Sequence, residues 1–341
     1  MYLSICNAKN LLCLISALVL AQTDKRDSTC SSLKGEICAE NHNKYSKEVN
    51  DWHSRINSEI RNALDKYKSC VAKNCSCHKD VIAKDLLPFS SGITKEMFAQ
   101  AETKGTKYQT KDYYDIMYPA WSFWEGGPAI ALYPTGIGRW DQHRLTISAA
   151  AEKWPWNKKE GKGFFRGSRT SEERDALVLL SRSNPELMDA QYTKNQAWKS
   201  DADTLYADPA KEVSFEDHCK YKYLFNYRGV AASFRLKHLF LCKSLVFHVG
   251  EDWLEFFYPS LKPWVHYVPL SPKASQEEIM KYIKYFKEHD SLAKEIADRG
   301  FQHIWDHLTD KDVKCYWRKL LKNYAKLVKY DIIRDSDLKK I

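Results

Sequence analysis

Apolar residues recur at helical spacing near both ends of the chain. Between residues 51 and 69 they return every four residues, and another apolar face follows residue 275, which predicts two amphipathic helices. The first face consists of Trp52, Ile56, Ile60 and Leu64, and the second of Ile279, Tyr282, Ile283 and Phe286. Ser275-x-x-Glu278 and Thr309-x-x-Asp312 match the pattern of capping boxes that open helices. Gly300 has the residue type of a helix stop.

Short apolar runs alternate with helical patterns between residues 141 and 330. The runs predict strands, and the stretches after Ser171 and over 233–242 predict helices. The predicted strands lie at 163–167, 187–190, 223–227, 245–249 and 264–268. Alternation of this kind is typical of an α/β fold, in which helices cover a parallel sheet.

The first 21 residues have the pattern of a secretory signal. Lys9 precedes an apolar run from Leu11 to Ala21, too short to span a bilayer comfortably, and small residues close it. We expect cleavage after Ala21, with an uncleaved anchor as the alternative. No later stretch has eighteen consecutive apolar residues, so we expect a mature protein without stable membrane insertion.

Length and composition are those of a globular protein. The 341 residues suggest about two domains. The formal net charge of +9 is spread along the chain, so it favours nucleic acid no more than anionic small molecules such as nucleotides. Aromatic residues are numerous, with 20 Tyr, 14 Phe and 11 Trp. They fill cores, and they also stack on sugars and bases.

The cysteine count agrees with a secretory chain. Cys6 and Cys13 belong to the signal, and eight cysteines remain. An even number in this context predicts disulfides, although the pairing stays open and the cluster 70–77 has metal binding as an alternative. Asn74-Cys75-Ser76 is a glycosylation acceptor pattern at Asn74.

Three turns follow predicted strands, where a parallel sheet binds ligands. In the first, at 166–174, Gly167 lets a ligand approach the backbone, Ser168 offers a hydroxyl, and Arg174 suits phosphate oxygens. The second, at 226–235, combines small residues with Arg235. The third, at 250–252, offers carboxylates to ribose hydroxyls. Each arginine could instead be solvated or paired, but two Arg/Ser/Gly turns together favour a diphosphate ligand.

Other motifs carry less information. The aromatic and glycine-rich stretches at 118–127 and 132–140 fit either a ligand surface or an irregular aromatic core. The pairs Asp201/Asp203 and Asp335/Asp337 have D-x-D spacing, which is common by chance and supplies too few ligands for a metal. No Walker A sequence, G-x-G-x-x-G or G-x-S-x-G is present.

From about Trp52 to Tyr330, with one large gap, the chain resembles the Rumi-like protein O-glucosyltransferases of the capsule-associated glycosyltransferase family. Six segments carry the resemblance: YPAWSFWEGGP at 118–128, FRGSRTS at 165–171, YTKNQAWKS at 192–200, HCKYKYLFN at 218–226, RGVAASFR at 228–235 and FHVG at 247–250. The resemblance implies a two-lobed GT-B-like enzyme with a Rossmann-like C-terminal lobe. We therefore expect a signal at 1–21, a Cys-rich and shortened acceptor-side lobe at 22–140, a nucleotide-sugar lobe with C-terminal helices at 141–330, and a polar tail at 331–341.

The resemblance also implies the chemistry. UDP-glucose is the donor, no cofactor or metal is required, and serine in an EGF-like domain, as in Notch-type receptors, is glucosylated with inversion. The donor would be bound by Ser168, Arg174, Val230, Ala231, Ala232, Ser233, Phe234 and Arg235. The acceptor would contact Ala129, Ile130, Ala131, Leu132, Tyr133 and Pro134. The implied disulfides are Cys70–Cys77, Cys75–Cys315 and Cys219–Cys242, which leaves Cys30 to pair with Cys38 or stay free.

Two family features are missing from the sequence. The strand that ends in the family's Asp base has no counterpart before the aromatic loop, so no catalytic residue is assigned. Asp112, Asp115 and Asp141 are nearby, but nothing selects one of them. The last four residues, 338–341, also differ from the family's Lys-Asp-Glu-Leu-like retention signal.

Three hypotheses follow. The first is an active, monomeric transferase of the endoplasmic reticulum lumen, with secretion as the alternative location and xylose as the alternative sugar. The second is a protein that binds UDP-sugar or acceptor without transfer. The third, a nucleic-acid binder, agrees poorly with a signal and disulfides, so we expect no nucleic-acid partner.

Overall fold

The computed structural model describes residues 35–70, 75–104, 114–125, 137–194 and 198–332. Side chains are described from residue 47 onward within these ranges, except for 101–104. The expected signal at 1–21, Cys30, the Cys38 side chain, the glycosylation pattern at Asn74 and the pair Asp335/Asp337 lie outside the described part. The predictions for them stand as predictions.

Two compact units divide the chain, one ending at Arg61 and the other beginning at Asn62. The described residues of the first unit belong to helix α1 (Gly35–Lys66), which confirms the helix predicted over 51–69. The lobe boundaries at 140 and 330 remain predictions.

Helices precede the sheet in the second unit. They are α2 (Lys79–Leu86), α3 (Lys95–Lys104) and α4 (Trp140–Lys153). Within the described ranges, the first strand begins only at Glu160. The expectation of a shortened acceptor-side lobe at 22–140 stays a prediction.

A five-stranded parallel sheet forms the centre of the second unit. Its order is β2-β1-β3-β4-β5, so the chain moves from β1 to one neighbour and then crosses to the other side of β1. The strands are β1 (Glu160–Gly167), β2 (Met188–Tyr192), β3 (Tyr221–Tyr227), β4 (Leu245–Val249) and β5 (Val268–Leu270). The parallel α/β class is thereby confirmed.

Burial explains the strand sequences, since every residue of β4 is buried and the strand is almost wholly apolar, as expected where helices cover a parallel sheet. The remaining helices are α5 (Asp175–Ser183), α6 (Phe215–His218), α7 (Leu236–Leu241), α8 (Gln276–Glu288), α9 (Asp290–His307) and α10 (Asp310–Ala325). Helix α5 packs beside β2, α8 beside β1, and α7 and α9 beside β4.

Caps start the last helices as predicted. The Ser275 hydroxyl accepts a hydrogen bond from the Glu278 N–H, and Thr309 and Asp312 form a reciprocal capping box. Among the described residues, no helix combines the length and the apolarity needed to cross a bilayer.

Two sequence predictions are wrong. The run 264–268 is not a strand, because Trp264 has a φ of 65° and its N–H donates to the Tyr267 carbonyl in a tight turn. Gly300 does not stop a helix but lies inside α9. A Cβ there would come within 2.5 Å of the His266 carbonyl oxygen and 2.8 Å of the Phe240 ring. Close packing against His266 and Phe240, rather than helix termination, requires this glycine.

Three disulfides join cysteines of the second unit. They are Cys70–Cys77, Cys75–Cys315 and Cys219–Cys242. These are the pairs that the family resemblance implies. Cys75–Cys315 spans 240 residues, whereas Cys70–Cys77 spans seven.

The difference in loop length predicts a difference in stability. Replacing Cys75 and Cys315 together by Ser should lower the free energy of unfolding by roughly 2–5 kcal/mol, because the long loop restricts the unfolded chain most. Urea unfolding measures the effect, and the Cys70→Ser/Cys77→Ser pair is the control with the smaller expected loss. An equal or greater loss in the control would contradict this ranking.

Candidate active site

A cavity of about 560 Å³ opens where β1 and β3 end. These neighbouring strands continue toward opposite sides of the sheet, which leaves a crevice beyond their carboxyl ends. The loop after β1 forms one wall and the loop after β3 forms another. Further lining residues are Trp121, Ile137, Thr193, Lys194, Glu212, Val213, Phe215 and His218.

Arg174 ties the two strand ends together. Its Nη1 donates to the Ser168 carbonyl at 2.5 Å, and its Nη2 donates to the carbonyls of Tyr227 (3.3 Å) and Arg228, which also accepts from Nε at 3.1 Å. The fork of N–H donors on a guanidinium is suited to several acceptors at once. Arg174 therefore builds the floor of the cavity as well as lining it.

Arg235 approaches the same place from the loop after β3. Its Nη1 donates to the Arg166 carbonyl at 2.6 Å. Both guanidinium carbons lie over the Phe165 ring, that of Arg174 at 5.5 Å and that of Arg235 at 5.1 Å from its centroid. The two positive charges are thus held close together at the end of one strand.

These two arginines lack the carboxylate partners that their neighbours have. Arg166 pairs with Asp189 at 2.7 Å, Arg169 with Asp175 at 2.6 Å and Arg228 with Glu173 at 2.8 Å. Among the described residues, no ion pair involves Arg174 or Arg235.

Burial lowers the pKa of Arg174 to about 10, and burial with the charge of Arg174 lowers that of Arg235 to about 9. Both values lie above neutral pH, so both groups stay charged. The cavity therefore contains two guanidinium charges without a paired carboxylate among the described residues, and Glu212 is the acidic residue among its described lining residues.

Two polar atoms in the cavity wall have no hydrogen-bond partner within the described part of the chain. They are Thr170 Oγ1 and Glu212 Oε2, and both atoms are buried. A buried polar atom without a partner costs free energy unless a ligand or water supplies one. Gly229 leaves room for one methyl group beside Thr170 and Arg174, since a Cβ there would make ordinary contacts, 3.5 Å from Thr170 Oγ1 and 3.8 Å from Arg174 Nη2.

Aromatic rings form the remaining wall. The Trp121 and Phe234 rings meet edge to face with centroids 4.3 Å apart. His218 Nδ1 is 2.7 Å from the Ser214 carbonyl, so it carries the proton and Nε2 is an acceptor. Burial lowers the pKa of His218 to about 4, so this acceptor is neutral at pH 7.

The predicted donor residues come together at this cavity, since Ser168, Arg174 and the run 230–235 all line it. The predicted acceptor residues 129–134 lie outside the described part. The turn at 250–252 lines a separate cavity of about 400 Å³. Sequence patterns missed Thr170, Glu212, His218 and Trp121, although Thr170, His218 and Trp121 stand within the segments that carry the family resemblance.

The other acidic candidates have different surroundings. Asp203 accepts hydrogen bonds from the N–H groups of Lys199 and Ser200 in a capping box, so D-x-D at this site caps a short helix. Asp141 is paired with Arg139 at 3.2 Å. Asp112 is not described, and neither Asp115 nor Asp141 is among the described residues that line the cavity.

The model of glycosyl transferase family 90 matches residues 107–341, which is more than half of the chain. The chain belongs to glycosyl transferase family 90. It is therefore a glycosyltransferase, as the resemblance implied, and the cavity lies within the matched region.

Relatives in the family are similar over most of their length. An O-glucosyltransferase rumi homolog of Aedes aegypti is 56% identical over 82% of this chain and 85% of its own. The O-glucosyltransferase rumi of Drosophila melanogaster is 46% identical over 95% of each. Protein O-glucosyltransferase 1 of Homo sapiens is 46% identical over 81% of this chain and 86% of its own.

The alignments show a gap within this family 90 chain. The match to the Drosophila relative extends over 394 positions, more than the 341 residues available here. Part of the relative therefore has no counterpart in this chain. Among solved structures, Anabaena HepE in complex with UDP-glucose has a TM-score of 0.38 at 12% identity, covering 54% of this chain and 53% of its own.

The contacts of Arg174 predict a structural cost for its replacement. Arg174→Lys should lower the free energy of unfolding by roughly 1.5–3 kcal/mol, because an ammonium cannot reach carbonyls of both strand ends with the same fork. Urea unfolding measures it, with Arg318→Lys on the exposed side of α10 as control. Equal stability of the two variants would show that the carbonyl contacts contribute little.

Proposed function

We propose that this family 90 chain transfers glucose from UDP-glucose to a serine hydroxyl of an EGF-like domain, with inversion and without a metal ion. The observation that carries the proposal is the pair Arg174 and Arg235, two cations without a described carboxylate partner at one cavity. The names of the relatives support glucose as the sugar and protein as the acceptor. Xylose is the alternative sugar, since it differs by one CH2OH group.

A diphosphate fits the electrostatics of this cavity. Its negative charge would balance the two guanidinium groups, and its oxygens would accept charge-assisted hydrogen bonds. Arg174 keeps donor capacity for this, since a guanidinium has five N–H groups and the carbonyls of Ser168, Tyr227 and Arg228 use four. Small residues at 229–233 allow the phosphates to approach the backbone.

The same charges would assist the reaction. When the bond between the anomeric carbon and the diphosphate breaks, negative charge grows on the leaving oxygen. Fixed guanidinium groups stabilise such charge in the transition state, which is the contribution that a metal ion makes in other transferases. Thr170 Oγ1 and Glu212 Oε2, for which the described residues supply no partner, would bind hydroxyl groups of the donor.

Inversion requires attack from the opposite face. The acceptor serine oxygen would form a bond to the anomeric carbon while UDP leaves, and the serine proton would pass to a base. A positioned base contributes typically about 10²–10⁴-fold. No residue of this chain is assigned that task, because the stretch bearing the family's Asp has no counterpart in the sequence.

A second candidate function is donor binding without transfer. It is favoured by the alignment gap relative to the Drosophila enzyme and by the absence of a strand before Glu160 in the described ranges. We further propose that the chain is a monomer of the endoplasmic reticulum lumen, glycosylated at Asn74, with EGF-like domains of Notch-type receptors as its acceptors.

A transfer assay tests the choice between the two functions. The chain, UDP-glucose and a folded EGF-like domain should give a mass increase of one hexose on the acceptor serine, abolished when that serine is replaced by alanine. Calorimetry with UDP runs in parallel. UDP binding without a hexose on the acceptor would select the second function, and no binding of UDP would contradict both.

Gly229→Ala tests where the diphosphate lies. The new methyl group meets only ordinary contacts with the protein, so melting should not change, but it enters the space beside Thr170 and Arg174. UDP affinity should fall roughly tenfold or more, since overpacking costs about 1–3 kcal/mol. Gly161→Ala in β1, whose Cβ would lie 3.8 Å from Lys287 Cε, is the matched control. Unchanged UDP affinity in Gly229→Ala would exclude this position for the phosphates.

A further inference from the structure

Lys237 is a fully buried charge just behind the cavity. It lies in α7, two residues after Arg235, and its side chain has no exposed surface. It is not one of the described residues that line the cavity. An unpaired ammonium in the protein interior is very unfavourable, so the partners of Lys237 indicate which parts of the chain it connects.

The Lys237 ammonium connects three separate parts of the chain. It donates to Ser122 Oγ at 3.0 Å and to the Phe234 carbonyl at 3.1 Å, and it lies 3.9 Å from Glu255 Oε2. It also lies 4.5 Å from the centroid of the Phe123 ring. One group thus contacts the end of the loop after β3 and the turn that precedes the predicted acceptor residues.

That turn carries a wall of the cavity. Trp121–Phe123 forms a short 3₁₀ helix in which Ser122 and Phe123 are buried. Phe123 packs on Phe256, with ring centroids 5.8 Å apart. Trp121 points to the other side, lines the cavity and meets the Phe234 ring. Apolar packing anchors Phe123, and the bonds from Lys237 to Ser122 and to the Phe234 carbonyl link the turn to Phe234.

We propose that Lys237 is a positioning residue: through Ser122 and the Phe234 carbonyl it holds Trp121 against Phe234 as the wall that covers the hexose of the donor. The second half of this inference rests on the proposed function. The hexose of the donor lies between its diphosphate, which we place near Arg174 and Arg235, and the acceptor. The predicted acceptor residues follow Trp121 in the chain, so we assign the hexose to the wall that Trp121 forms. An aromatic face packs well against the apolar face of a sugar ring.

Two variants remove the hydrogen bond between Lys237 and Ser122 without leaving a buried carboxylate unpaired. Ser122→Ala deletes the acceptor hydroxyl alone. Lys237→Met/Glu255→Gln replaces both charges by neutral groups of similar length, which avoids a lone buried carboxylate. Lys159→Met is the control, because Lys159 is another buried lysine but donates to the carbonyls of Cys219 and Cys242 and is not among the described lining residues.

The first measurement needs no ligand. In protein labelled with ¹⁵N at its tryptophans, the indole N–H resonance of Trp121 is identified as the one missing in Trp121→Phe. We expect it to shift or broaden in Ser122→Ala and in the double variant, and to keep its position in Lys159→Met. An unmoved Trp121 resonance in both variants would overturn the positioning role, whatever happens to stability.

The second measurement compares two ligands by calorimetry. The affinity for UDP should stay within about twofold of wild type, whereas the affinity for UDP-glucose should fall about two- to tenfold in both variants and in Trp121→Ala. Equal losses for UDP and UDP-glucose, or no loss for either, would overturn the assignment of Trp121 to the hexose.

Failure of the proposed function can be distinguished from failure of the positioning role of Lys237. If the wild-type chain binds neither UDP nor UDP-glucose, the proposed function fails and so does the assignment to the hexose. The indole resonance would still decide whether Lys237 positions Trp121.

Discussion

The bonds from one guanidinium to the carbonyls at the ends of two parallel strands are the constraint on which the site depends. β1 and β3 leave the sheet in divergent directions, and without a shared donor their carbonyl groups would need water. Arg174 supplies that donor and brings its charge with it. The structural requirement and the binding chemistry are therefore met by the same group, and the charge remains available because no described acid neutralises it.

Buried cations bonded to backbone carbonyls recur elsewhere in the second unit. Lys159 donates to the carbonyls of Cys219 and Cys242, and Arg144 to those of Ile304, Trp305 and Leu308. At each place the chain bends or ends an element, which leaves carbonyls without a partner. A long basic side chain satisfies several of them from a distance. The fold thus uses basic residues as internal connectors, so the overall positive charge is partly structural.

The sheet could be predicted from the sequence because a strand that is buried on both faces consists mostly of apolar residues. The run Leu245–Val249 is apolar except for His248, and its bounds match β4. Where contacts between residues distant in sequence determine the role of a residue, the sequence pattern does not reveal that role. Gly300 resembles a helix stop, and only the carbonyl of His266 explains it. The sequence places Arg174 in a turn after a predicted strand, but its bonds to carbonyls depend on which strands are neighbours. Glu212 stands in a stretch without a pattern, so the sequence does not single it out.

The disulfide between Cys75 and Cys315 also determines when the fold can be completed during synthesis. During synthesis at about 5–20 residues per second, some 240 residues separate the emergence of the two cysteines, which is on the order of 10–50 s. In that interval Cys75 stands as a free thiol beside Cys70 and Cys77, with which it could form a wrong bond. The native bond can therefore form only after α10, which carries Cys315, has been translated.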